Sequence, residues 1–101
     1  MKANPGDFYK HYKHDPSIDK YNYVYQVVNI GLHTEEDGQE LVIYRPLYEA
    51  YVYRHDKMYD VRPRTMFEET IEKDGKVIER FTLVTDADEI ADFTKKVEEM
   101  Y

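Results

Sequence analysis

Tyr23-Val24-Tyr25-Gln26-Val27-Val28-Asn29-Ile30 is the stretch that decides the fold. It is dense in β-branched and aromatic residues, which suit a pleated, half-buried surface, and Gly31 ends it, so it reads as a strand. Working outward, His33-Thr34-Glu35-Glu36-Asp37-Gly38-Gln39-Glu40 is a polar hairpin tip, with Asp37-Gly38 supplying the left-handed residues of a tight turn. Leu41-Val42-Ile43-Tyr44 returns as a strand that Arg45-Pro46 closes. On the N-terminal side, Phe8 to His14 alternates weakly as a first short strand, and Asp15-Pro16-Ser17 turns the chain. Residues 1–7 are polar and expected to be loose.

Further along, Ala50-Tyr51-Val52-Tyr53 and Met58-Tyr59-Asp60-Val61-Arg62 read as two short strands, and Pro63 to Phe67 as one turn of helix or an irregular corner. Glu68 to Lys73 and Lys76 to Val84 flank Asp74-Gly75, a second hairpin signal. The period then changes. Ile90, Phe93, Val97 and Met100 are spaced as one stripe of an α-helix, with Thr85 or Asp86 as its cap and acids in its first turn. These spacings predict a mainly β fold, α+β overall, with a domain over 8–84 and a C-terminal amphipathic helix within 85–101. Five to seven strands this short fit a small, strongly curved, SH3-like barrel better than a flat sheet. The helix is expected to pack on its own domain; the alternative is a weak homodimer through Ile90, Phe93, Val97 and Met100.

Composition narrows the function classes. The 101 residues contain no cysteine, which excludes disulfides, thiolate metal sites and thiol nucleophiles. No apolar run approaches a membrane span and the polar start is not that of a signal peptide, so the expectation is a cytoplasmic protein away from membranes. With 14 Lys+Arg against 21 Asp+Glu, the formal charge is −7, which argues against duplex DNA as a partner. Residues 41–67 nevertheless carry five bases against three acids, which leaves room for a small anion or a short RNA segment. There are 11 tyrosines and no tryptophan. Tyrosine serves sheet packing and recognition alike.

The chemistry-bearing candidates are few. His11 and His14 have an H-x-x-H spacing, but on a strand they point to opposite faces, so neither metal nor cofactor is expected. Ser17 is the single serine and lies beside a proline in a turn, and no nucleophile elbow or phosphate loop is present. His33 with Glu35 could do acid–base work if both face one side of a strand, although a solvated loop is the plainer reading. The two Arg-Pro steps, Arg45-Pro46 and Arg62-Pro63, are the more pointed signal. A residue before proline is held extended, so each arginine leaves its strand end in a restrained direction. On one rim they would make a fork for a carboxylate or phosphate, with Tyr44, Tyr48 and Phe67 as a stacking wall and His33 as a donor. The competing reading pairs Arg45, Arg62 and Arg80 internally with Glu35, Glu40 or Asp60.

Several segments resemble one family of small bacterial proteins, domain of unknown function 1653: Tyr9-Lys10-His11-Tyr12-Lys13, Tyr25-Gln26-Val27-Val28, His33-Thr34-Glu35, Leu41-Val42-Ile43-Tyr44-Arg45-Pro46-Leu47-Tyr48, Val61-Arg62-Pro63-Arg64-Thr65-Met66-Phe67 and Arg80-Phe81. The resemblance covers Phe8 to Val84 and implies a small, mainly β domain without a known activity. Asp15 to Tyr21 departs from it as an insertion, and Asp60 stands where an aromatic is usual. The expectation is therefore a non-enzymatic module for a short peptide or small anion, at His33, Tyr44, Arg45, Tyr48, Arg62 and Phe67. A single-stranded RNA-binding module and a small acid–base enzyme using His33 and Glu35 are the alternatives.

Overall fold

In the computed structural model, which describes residues 2–49 and 56–101, two antiparallel sheets, one helical turn and a C-terminal helix make up the regular structure of the described residues. β1 (Phe8–His11), β2 (Val24–Leu32), β3 (Glu40–Pro46), β4 (Asp60–Pro63) and β7 (Phe81–Leu83) form one sheet in the order β4-β3-β2-β1-β7. β5 (Thr70–Lys73) and β6 (Lys76–Glu79) pair as a separate hairpin. Asp74 (φ 52°) and Gly75 (φ 76°) are both left-handed at its tip, as the tight turn requires. A single helical turn, α1 (Arg64–Phe67), follows β4, and α2 (Ala87–Met100) closes the fold. Among the described residues β4 and β7 remain the two edges of an open sheet, so the closed barrel expected from the short strands is not found. The strand expected over 50–53 lies outside the described residues.

Alternation along the strands divides the core in two. On one face Tyr9, Val27, Val42, Tyr44 and Phe81 pack with Phe67 of α1 and with Ala3. On the other, Phe8, Val24, Leu47 and Val84 receive Phe93 and Val97 of α2. Phe93, Val97 and Met100 are buried within the chain, which leaves only Ile90 of the helix stripe substantially exposed. Asp86 caps α2 by accepting from the Glu89 backbone N–H at 2.9 Å. Lys10, on the same sheet face, pairs with Glu89.

Three local expectations change. β1 stops at His11 because the chain turns at once, with the His14 N–H on the His11 carbonyl at 2.8 Å. Residues 2–7 are tied down rather than loose. The Ala3 N–H donates to Glu68 Oε2 (2.7 Å), Arg64 Nη2 donates to the Ala3 carbonyl (2.8 Å), and the Gly6 N–H donates to the Val27 carbonyl (2.8 Å). The segment read as one strand over Lys76 to Val84 is divided at Arg80, where the chain passes from hairpin to main sheet. Within β2, Val27 opposes Tyr44 and Asn29 opposes Ile43, so Val28 is an extra, unopposed residue, a β-bulge.

Candidate functional site

Cross-strand register fixes where the two Arg-Pro arginines go. Residues opposite each other in a sheet share a face. Arg62 opposes Val42, and Arg45 opposes Gln26. Arg45 and Val42 are three apart on β3, an odd separation, so Arg45 and Arg62 leave opposite faces of the sheet. The two-arginine fork does not form. Nor does the internal pairing that competed with it, because neither arginine has an ion pair to a carboxylate among the described residues. The acids take Arg64 and Arg80 instead, through Glu40, Glu68 and Glu69.

Arg62 enters an aromatic cluster. Its Nε donates to the Tyr44 hydroxyl at 3.2 Å, and its guanidinium carbon lies 5.4 Å from the centre of the Phe81 ring. Phe81 stacks on Phe67, with ring centres 4.1 Å apart and planes 9° from parallel, and Tyr25 and Tyr44 meet it edge-on. His11 faces Phe81 directly across the β1–β7 ladder and touches it edge-on at 5.0 Å. The His11 ring also stacks with Tyr23 at 5.5 Å and adjoins Tyr12 at 4.3 Å. Tyr23 is left-handed (φ 54°), an uncommon conformation for a bulky residue, and its side of the cluster is open to solvent. Lys73 Nζ stands 5.1 Å from the Tyr12 ring centre, which brings the β5–β6 hairpin to the same place.

The electrostatics of this cluster are positive within an acidic protein. His11 is pushed down to about 4, first by burial and then by Arg62, Lys13 and Arg80. Its Nδ1 accepts from the Lys13 backbone N–H at 3.2 Å, so the ring proton of the neutral form sits on Nε2. Tyr44 is pushed up, chiefly by burial, and partly offset by the Arg62 hydrogen bond. A guanidinium without a carboxylate, a neutral imidazole and a tyrosine hydroxyl can hold an anion against a ring-lined wall. They lack the arrangement of nucleophile and base that a covalent mechanism needs.

The other expected residues take different parts. Phe67 is a core residue, 1% exposed. Tyr48 lies outside the cluster, lining a groove with Asp19, Tyr21, Leu47, Glu49 and Lys96. His33 organises its hairpin, its Nδ1 accepting from the backbone N–H groups of Glu35 and Glu36, each at 3.1 Å. Glu35 is exposed and makes no ion pair with it, so no acid–base couple forms. His14 Nδ1 is 2.6 Å from the Asn22 carbonyl, and no group of three metal-ligating residues occurs among the described residues. Sequence reasoning missed His11, Tyr12, Tyr23 and Phe81 as site residues. Tyr9 to Lys13 and Arg80-Phe81 were visible as motifs, but 70 positions separate His11 from Phe81 and only the β1–β7 pairing joins them.

The sequence pattern of the family described as "Protein of unknown function (DUF1653)" matches residues 7–83. The chain belongs to this family. The match takes in the whole main sheet of the DUF1653 domain, its hairpin and the Arg62 cluster, and stops before α2. No curated protein and no solved structure matches the chain. Among the described residues of this DUF1653 domain, no helix is long and apolar enough to cross a membrane.

Proposed function

We propose that the domain is a non-enzymatic binding module that holds a small anion, or the anionic group of a short peptide, at Arg62. The observation that carries this reading is the lone guanidinium beside His11. Burial first, and then Arg62, Lys13 and Arg80, keep that imidazole neutral, and no carboxylate is ion-paired with Arg62 among the described residues. A half-buried cation with unspent charge in a protein of net charge −7 attracts an external anion more strongly than a solvated one would. Tyr44 fixes the guanidinium's direction, and Phe81, Tyr23 and Tyr25 form the apolar wall.

The test is a nuclear magnetic resonance titration with inorganic phosphate and with acetate. Shifts are expected at Arg62, His11 and Tyr23, and Arg62→Gln should abolish them while the protein stays folded. Unchanged shifts in that variant would overturn the reading. Single-stranded RNA is the second reading, favoured by the His11–Tyr23 stack and the nearby lysines. It requires a short oligonucleotide to bind at low salt through Tyr23, and the −7 charge opposes it.

A further inference from the structure

Among the described residues Arg45 is the second guanidinium without an ion-paired carboxylate, and it lies on the other side of the sheet. Its Nε and Nη2 donate to Gln26 Oε1 at 3.1 and 2.9 Å, and its central carbon lies 4.5 Å from the centre of the Tyr101 ring. That ring is itself held, because the Tyr101 hydroxyl donates to the Pro46 carbonyl at 2.7 Å. An open groove of about 430 Å³ begins here, lined by Arg45, Asp56, Lys57, Met58, Tyr59 and Tyr101. Met58 and Tyr59 are 67% and 52% exposed, large apolar surfaces for residues flanking a charge.

We infer that this groove is a binding site for a carboxylate carried on a flat apolar body. Gln26 is neutral, so its two hydrogen bonds orient the guanidinium without cancelling its charge. They occupy the Nε–Nη2 edge. The Nη1–Nη2 edge keeps two parallel N–H groups, the spacing that matches the two oxygens of one carboxylate. The Gln26 hydrogen bonds and the contact with the Tyr101 ring restrain this fork, so little freedom is lost on binding. The single fork at Arg45 matches the two oxygens of one carboxylate, and Met58, Tyr59 and Tyr101 suit a ring rather than a bare ion.

The experiment is a titration of the full chain with benzoate, followed by nuclear magnetic resonance at Arg45, Tyr59 and Tyr101, with benzamide and inorganic phosphate as controls. Benzoate should shift these residues, and benzamide and phosphate should not. Affinity should fall about tenfold or more in Arg45→Gln, less in Arg45→Lys, and severalfold in Tyr59→Ala, which removes only an exposed wall. Arg62→Gln should leave benzoate binding here unchanged, which keeps the site separate from the one under Proposed function. Equal benzoate affinity in the folded Arg45→Lys and Tyr59→Ala variants would overturn the inference. Equal response to benzamide, or shifts confined to the Arg62 cluster, would do so too.

Discussion

His11 reports on the charge around it. Its folded value is about 4 against an ordinary value of 6.5, so between those limits the unfolded chain binds more protons than the folded one. Stability should therefore be full above about pH 6.5 and fall as pH drops toward 4, with His11 as one contributor. The ring's own proton resonance should not titrate above about pH 5, and a midpoint near 6.5 would contradict the cluster's electrostatics. Replacing Arg62 by Gln removes the second cause of the depression and should move that midpoint up. Bound phosphate should move it up as well, because the anion offsets the cations that oppose protonation. At this scale the sequence was partly legible. The Arg-Pro steps drew attention to Arg45 and Arg62, the two arginines that make no ion pair among the described residues, because a residue before proline is locally constrained. Their faces were not legible, since these depend on which residues β3 places opposite β2 and β4.

Among the elements, α2 was the most legible. Its three- and four-residue apolar spacing and its Asp86 cap both appear as read, because they depend on neighbours within a turn or two. Phe93 is 1% exposed and packs against Phe8 and Tyr21 with ring centres 5.7 and 6.0 Å apart. Truncating it to Ala should cost about 3–5 kcal/mol, and Asp86→Ala about 1 kcal/mol, both measured by urea denaturation. The order matters more than the sizes: a larger loss at Asp86 than at Phe93 would mean that α2 does not rest on the sheet as described. The Asp74-Gly75 hairpin was equally plain, because its turn chemistry is local. The division at Arg80 was not. Nothing in Lys76 to Val84 distinguishes one strand from two until the β1 edge is in place to receive Phe81.

As a whole the molecule is a sheet covered on one face by α2 and on the other by α1 and an aromatic cluster, with an arginine on each side that makes no ion pair among the described residues. The net charge of −7 surrounds both. Phosphate binding at Arg62 should therefore depend weakly on salt, since a half-buried contact is screened less than an exposed one, whereas duplex DNA should not bind at all. Calorimetry at low and physiological ionic strength checks the first, and a gel shift the second. Closure into a barrel was expected from the shortness and number of the strands, and neither says whether the last edge finds the first. The bulge at Val28 carries a separate consequence. Because Val28 opposes nothing, Val24 to Val27 and Asn29 to Leu32 are read in two different frames. Loss of this one residue would leave every other side chain of the strand on its present face, whereas loss of Gln26 would invert the half of the strand that follows or precedes it. Position 28 is thus where this strand can change length over evolutionary time without turning itself inside out.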